Sequence, residues 1–296
     1  MTLLDGKKLS EKIKAQLLAQ SRLLKTKNGR SPHLAAILVG DDPASIAYVN
    51  NKIKSCRQCD IGSALIKLDD FISEKELLEE IDRLNADKNT DGILVQLPLP
   101  GHIRQDVIAS AILPEKDVDG FHPLNAGRLM LGQPCFEPAT PKGIMMMLEH
   151  YQISLTGKHA VVIGRSNIVG RPLSIMLSAA GANATVTLCH SFTENLPHFT
   201  RQADILIAAI GRPAFVKADM IKPGAVVIDV GINRIESKHE ERGYRLCGDV
   251  DFEKVAPLCS AITPVPGGVG PMTIIGLLSN TLKAAGLTEY DELYKR

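Results

Sequence analysis

Short apolar runs recur along this chain with room for one helix between neighbours, and that pitch restricts the fold more than any other feature. Leu34–Val39, Ala64–Leu68 and Gly92–Leu97 form a first series. Ala160–Ile163, Ala184–Leu188, Asp204–Ile210 and Ala225–Val230 form a second. Runs this short and this continuously apolar read as strands covered on both faces, the pattern of parallel sheets. The intervening segments carry helix signals. Leu9, Ile13, Leu17 and Leu24 keep helical spacing up to a stop at Asn28-Gly29. Asp42 can cap, and Pro43 can open, a helix reaching about Cys59. Ser73-Glu74-Lys75-Glu76 has the form of a capping box. Strand and helix alternating in this way predict an α/β fold.

A second unit is predicted to begin near Thr140, where Thr140-Pro141 can cap a helix through Met145–Leu148. The strand Ala160–Ile163 then runs into a glycine turn and a helix over about Gly170–Ala180. Strand, glycine turn, helix, strand is a dinucleotide-binding arrangement. Near the end, the segment from Thr263 to Pro271 holds too many prolines and glycines for regular structure, and a helix is expected from Met272 to Ala285. The 296 residues suit two domains at roughly 150 residues each.

Composition excludes several classes of function. Lys and Arg number 34 against 33 Asp and Glu, so no bulk charge recruits nucleic acid or an anionic membrane. No apolar run approaches the roughly 18 residues that span a bilayer. The start, Met1–Lys8, lacks the apolar stretch of a signal peptide, and the six scattered cysteines read as reduced thiols, so a cytoplasmic location is expected.

Four constellations can carry chemistry. In Gly164-Arg165-Ser166-Asn167-Ile168-Val169-Gly170 a glycine directly follows a buried strand, and the helix start behind it suits a pyrophosphate. Ser166 stands where the usual fingerprint has its second glycine. The next strand ends Leu188-Cys189-His190-Ser191, without the carboxylate that an NAD site places there. With Arg165 in the turn, that favours a 2′-phosphate and hence NADP. Second, Ser45, Tyr48 and Lys52 fall on one face of a helix. This spacing suits an acid–base pair, and equally a solvated lysine beside a half-buried tyrosine. Third, Gln96 closes an apolar strand, where parallel sheets place ligands, and Asp119-Gly120 offers a carboxylate at a turn. Fourth, Pro266–Gly270 combines backbone that can approach a ligand closely with stiffening prolines. Cys56-Arg57-Gln58-Cys59 lacks a second pair and falls late in a helix, so neither a redox centre nor a metal site is expected. His239-Glu240-Glu241 lacks the second histidine of a zinc-protease helix and reads as solvated loop.

Taken together, these segments resemble the bifunctional methylenetetrahydrofolate dehydrogenase/cyclohydrolases, almost from end to end. The resemblance rests on Tyr48-Val49-x-x-Lys52, Val95-Gln96-Leu97-Pro98-Leu99-Pro100, Lys116-Asp117-Val118-Asp119-Gly120, Gly164-Arg165-Ser166-x-Ile168-Val169-Gly170 and Pro264-Val265-Pro266-Gly267-Gly268-Val269-Gly270. It implies a two-domain α/β fold: a folate-binding catalytic domain over 1–140, a Rossmann-type NADP-binding domain over 141–270, and a C-terminal segment, 271–296, returning to the first. It implies NADP-dependent oxidation of 5,10-methylenetetrahydrofolate to the methenyl form, followed by hydrolysis to 10-formyltetrahydrofolate, in one-carbon metabolism. Lys52, Tyr48, Gln96 and Asp119 are implied to be catalytic. Val95, Leu97, Pro266, Gly267, Gly268, Val269 and Gly270 are implied to line the folate site together with Tyr48, Gln96 and Asp119. Gly164, Arg165, Ser166, Ser191 and Ile232 are implied to contact the cofactor. A homodimer is implied, and no metal, nucleic acid or membrane partner. A different two-domain NADP dehydrogenase acting on a small hydroxy or amino acid shares the second half of this reading, as does a non-catalytic NADP sensor. Neither accounts for Tyr48, Lys52, Gln96 and Asp119 together.

Overall fold

The computed structural model describes residues 1–236 and 243–287. Its elements alternate as the pattern requires: β1 (Thr2–Leu3), α1 (Gly6–Asn28), β2 (His33–Val39), α2 (Pro43–Gln58), β3 (Gly62–Leu68), α3 (Glu74–Ala86), β4 (Gly92–Val95), α4 (Gln105–Ala111), α5 (Pro123–Met130) and α6 (Ala139–His150). There follow β5 (His159–Ile163), α7 (Gly170–Ser178), β6 (Thr185–Cys189), α8 (Leu196–Thr200), β7 (Ile205–Ala208), β8 (Val226–Asp229), β9 (Asn233–Glu236), β10 (Tyr244–Cys247), α9 (Phe252–Val255), β11 (Ala261–Ile262) and α10 (Val269–Ala284). They gather into two compact units. One holds Glu11–Ala139 and the segment starting at Ile274; the other holds Met1–Ser10 and Thr140–Thr273.

The first of these units is built on a parallel sheet in the order β3–β2–β4. On the central strand, Ala35, Ile37 and Val39 pack into a cluster with Leu77, Ile81 and Leu84 of α3 and Ile108 of α4. The alternate residues Leu34, Ala36 and Leu38 point to the opposite face and are equally buried, as a sheet covered on both sides demands. The helix that follows β2 starts where expected. Asp42 accepts the Ser45 N–H at 2.7 Å, and Pro43 occupies the first turn, which needs no N–H. The capping box is complete, with Ser73 and Glu76 bonding each other's backbone N–H groups. β4 ends at Val95, short of the predicted Leu97. The Gln96 N–H still reaches the Ile37 carbonyl at 2.9 Å, but Pro98 has no N–H to continue the ladder.

The other unit carries a six-stranded parallel sheet in the order β1–β11–β8–β7–β5–β6. The chain leaves β5 for β6 on one side and then crosses to β7 on the other, so the strand order reverses beside β5. Ligands of open α/β sheets bind at the carboxyl ends of the strands at such a point. A separate antiparallel pair, β9 and β10, completes the unit.

The expected partition at 1–140 is corrected at its start. The Thr2 N–H donates to the Ser260 carbonyl at 2.7 Å and the Leu4 N–H to that of Ile262 at 2.8 Å, which joins Met1–Ser10 to the Rossmann unit. A two-residue strand has no periodicity, so this pairing leaves no mark in the sequence. The helix expected from Met272 begins three residues earlier. Val269, Gly270 and Pro271 form the first turn of α10, where a proline loses no intrahelical bond. Thr140 lies inside α6 rather than capping it, and its hydroxyl meets that of Thr273 at 3.0 Å. Farther along α10, the Asn280 amide donates to the Val118 and Glu137 carbonyls, both at 2.8 Å, so the C-terminal helix returns to the unit containing α2. His239-Glu240-Glu241 lies outside the described residues. Among the described residues no helix is long and apolar enough to cross a membrane.

Candidate active site and dinucleotide-binding turn

One face of α2 is buried through Ser45, Val49, Lys52, Ile53 and Cys56, so the Lys52 side chain follows the apolar stripe inward and is only 4% exposed. Lys54, two residues on, is exposed. The Lys52 ammonium donates to Gln96 Oε1 at 3.1 Å and lies 4.7 Å from the centre of the Tyr48 ring. Gln96 in turn donates its Nε2 to the Leu97 carbonyl at 2.6 Å, which fixes its oxygen toward the lysine. Burial pulls the Lys52 pKa below the ordinary lysine range, against the charge of Asp119. Asp119, half-buried, shows the complementary effect: burial pushes its carboxyl up to about 6, although the nearby Lys52 ammonium holds it down in part. Solvent exclusion therefore brings both groups toward neutral pH, where each can exchange a proton. Cys56, one turn beyond Lys52, is pushed up to about 12 by burial, and Cys59 to about 11. Both thiols stay protonated.

The Asp119 loop is held on either side. The Lys116 ammonium donates to the Leu84, Asn85 and Asp87 carbonyls at 2.7–2.9 Å, capping the C-terminal end of α3. Asp117 accepts the Phe121 and His122 N–H groups and the Asn125 amide. Gly120 has φ +74°, and a side chain there would collide with the Glu137–Pro138 backbone. Lys116 and Asp117 lie within the motif that drew attention to Asp119; the supporting role of Lys116 depends on partners about 30 residues back, whereas that of Asp117 depends on the turn just after it. Val95 is buried and Leu97 partly so, and both join the cluster under the sheet.

In the Rossmann unit, Gly164 leaves β5 with φ +119°, and a β-carbon there would strike the Ala209 carbonyl. One at Gly170 would strike the carbonyl of Gly164. Only glycine permits this turn. Ser166, at the place of the fingerprint's second glycine, uses its hydroxyl to accept the Val169 N–H at 3.2 Å and so shapes the start of α7. Arg165, Ser166 and Asn167 are exposed, as is Ser191 beyond the end of β6. The Gly164 N–H donates to the Cys189 carbonyl at 2.9 Å, tying the ends of β5 and β6 together. The Arg165 guanidinium stands 5.8 Å from the ring centre of the exposed Phe192. A tight turn, a helix start and a surface guanidinium at the strand-order reversal fit a phosphorylated dinucleotide. Ile232 is 54% exposed. Gly270 is close enough that a β-carbon there would touch Ile232 at 3.4 Å.

The expected residues thus fall into two sets. Tyr48, Lys52, Gln96 and Asp119 meet in one unit; Gly164, Arg165, Ser166, Ser191, Ile232 and Pro266–Gly270 belong to the other. Among the described residues no three or more His, Cys, Asp or Glu are grouped to hold a metal. Sequence reasoning missed Asp229 and Asp249, both buried. The available signal was a carboxylate closing each of two segments, Val226–Asp229 and Gly248-Asp249.

Comparison with known proteins gives a consistent result. Residues 4–119 match the family model of the tetrahydrofolate dehydrogenase/cyclohydrolase catalytic domain, and 138–289 that of its NAD(P)-binding domain. The bifunctional protein FolD of Cytophaga hutchinsonii is 55% identical over 289 residues, covering 97% of this chain and all of the relative. The bifunctional FolD methylenetetrahydrofolate dehydrogenase/cyclohydrolase of Campylobacter jejuni is 53% identical, with a TM-score of 0.91 over 96% of this chain and 98% of that one. The Trypanosoma brucei N5,N10-methylenetetrahydrofolate dehydrogenase-cyclohydrolase, solved with NADP cofactor and inhibitor, is 36% identical, with a TM-score of 0.92 over 96% and 97%.

Proposed function

Because this chain belongs to the tetrahydrofolate dehydrogenase/cyclohydrolase family, we propose that it oxidises 5,10-methylenetetrahydrofolate to the methenyl cation with NADP+ and hydrolyses that cation to 10-formyltetrahydrofolate. The observation that carries the reading is the buried Lys52 ammonium, held between Gln96 and Tyr48 with Asp119 near enough to shift its pKa.

NADP+, when bound, supplies the hydride acceptor. The residues that would hold it are Gly164, Arg165 and Ser166 in the turn, with Ser191 and Ile232. Hydride loss from a carbon between two nitrogens leaves an amidinium-like cation that the substrate itself stabilises, so the first step asks the protein chiefly for orientation. Asp119 orients the pterin by accepting N–H bonds from its amino-pyrimidinone edge. Tyr48 packs against the folate. Val95 and Leu97 set the position of Gln96, and Pro266–Gly270 presents backbone to the ligands. In the second step water adds to the methenyl carbon and loses a proton. The remaining hydroxyl then gives up its proton as it becomes the formyl carbonyl, the bond from that carbon to N5 breaks, and N5 takes up a proton, so that one proton is released overall. Lys52, pulled toward neutrality by burial, moves these protons, and Gln96 holds its Nζ in place.

The test is to add NADP+ and methylenetetrahydrofolate and follow methenyl absorbance as it forms and decays. No methenyl signal with NADP+, or a methenyl signal that persists at its uncatalysed decay rate, overturns the corresponding half of the reading. The family resemblance also supports a homodimer; sedimentation velocity at micromolar concentration reads the oligomeric state directly.

Arg165 carries a prediction about cofactor choice. A charge-assisted bond from its guanidinium to a 2′-phosphate contributes ~1.5–3 kcal/mol. Arg165→Ala is therefore expected to weaken NADP+ binding by roughly 10- to 150-fold and to leave NAD+ binding nearly unchanged. Calorimetric titration with both cofactors checks this, and equal losses would show that Arg165 does not read the phosphate.

A further inference from the structure

Two carboxylates that the mechanism does not use are buried at the ends of the Rossmann strands. Asp249 has no solvent exposure, and Asp229 has 2%. Asp249 Oδ2 accepts the Ile210 and Gly211 N–H groups at 2.6 and 2.9 Å. Its Oδ1 accepts the Arg212 N–H and the Asn233 side-chain amide, both at 2.9 Å. A carboxylate offers about four acceptor positions, and here all are filled. Asp229 forms a second tier. It accepts the Gly231 N–H at 3.0 Å and the backbone N–H groups of Asp249 and Val250 at 2.9 Å. The packing admits no alternative at the neighbouring glycines, since a β-carbon on Gly231 would enter the Asp249 carboxylate and one on Gly248 that of Asp229.

The segments joined in this way are the loops leaving β7 and β8, beside the strand-order reversal. The chain leaving β7 passes directly under Gly164, whose missing side chain makes room for the Ala209 carbonyl. Ile232 lies between Gly231, held by Asp229, and Asn233, held by Asp249. An isoleucine 54% exposed yet gripped through both chain neighbours is a preorganised apolar contact rather than a core residue.

We propose that Asp249 is a positioning residue for the cofactor: its carboxylate sets the Ile210–Arg212 turn and, through Asn233, the exposed Ile232 side chain against which NADP+ docks. The proposal rests on the NADP-dependent reading above. An asparagine cannot take over this role, because its NH2 group would face two N–H donors whichever way the amide were turned.

The test uses the full chain and two substitutions. Loosening a preorganised contact returns its ordering cost to the binding step, so Asp249→Asn is expected to raise the Kd and KM for NADP+ by about 10- to 100-fold. Its kcat at saturating NADP+ should stay within about threefold, and its hydrolysis of added methenyltetrahydrofolate within about twofold. Ile232→Ala should weaken NADP+ binding in the wild-type background and add little in Asp249→Asn, because coupled residues do not contribute independently. Parallel loss of hydrolysis and oxidation would show that Asp249 only maintains the fold. An unchanged NADP+ Kd, or full additivity with Ile232→Ala, would equally overturn the proposal. A wild-type chain that binds no NADP+ would overturn the functional reading itself, a result separate from all of these.

Discussion

Lys52→Gln is expected to lower methenyltetrahydrofolate hydrolysis by ~10²–10⁴, the usual loss when a general acid–base group is removed, while methylenetetrahydrofolate oxidation survives at least in part. Glutamine keeps polarity at this site but cannot take up or release a proton at neutral pH. Hydride transfer needs no such exchange, so the activities should separate and methenyl product should accumulate in the coupled assay. A stability measurement sharpens the result. Burial lowers the Lys52 pKa, so carrying its charge costs the folded state free energy below that lowered value. As pH rises through it toward 10.5, this penalty disappears. Removing the ammonium should therefore leave the melting temperature at neutral pH unchanged or higher, which sets lost hydrolysis apart from lost folding. Wild-type hydrolysis in Lys52→Gln would eliminate this lysine as the proton carrier.

Asp119→Ala is expected to damage both activities together, because both steps use the same bound pterin. Hydrogen bonds to a charged acceptor contribute ~1.5–3 kcal/mol each. The net loss of even one should raise the folate KM by at least roughly 10-fold in either assay. The carboxyl has a pKa near 6, so the anion that accepts N–H bonds is depleted as pH falls below that value. In the wild-type chain folate KM should therefore fall as pH rises from 5 to 7, and in Asp119→Ala that dependence should flatten. The stability term has the opposite sense. Between the ordinary carboxyl value of 3.8 and about 6 the folded chain retains a proton that the unfolded chain releases, so this group favours folding at low pH and loses that contribution as pH rises through 6. Near-normal folate binding by Asp119→Ala would move the pterin site elsewhere.

Much of this was legible because the informative signals are local. The Asp42-Pro43 start, the Ser73–Glu76 box and the Gly164–Gly170 turn each state their geometry within a few residues, and all three appear in the structure. The helical spacing of Tyr48 and Lys52 put both on one face, but whether that face was wet or dry depended on β2 and β4, whose packing no spacing reveals. β1 and β11 escaped notice for a related reason. Two-residue strands are defined by their partners, not by their own side chains. β9, with its polar sequence Asn233–Glu236, pairs among the described residues only with β10 and has no apolar run to announce it. Asp229 and Asp249 were the least visible. A buried carboxylate reads as surface until its donors are assembled around it, here four on Asp249 and three on Asp229, drawn from three stretches of chain.

The path of α10 has a consequence for how this molecule comes off the ribosome. The unit that contains Lys52 is encoded early, yet its Val118 and Glu137 carbonyls find their donor in Asn280, and the Asn28 side chain finds its acceptor in Ala285. Synthesis at about 5–20 residues per second leaves those groups waiting while the whole Rossmann unit is made. Vectorial folding can finish the later-encoded unit first, because Met1–Ser10 is already available to close its sheet. A nascent chain arrested before Ile274 would then display an ordered nucleotide-binding half attached to an unfinished catalytic one.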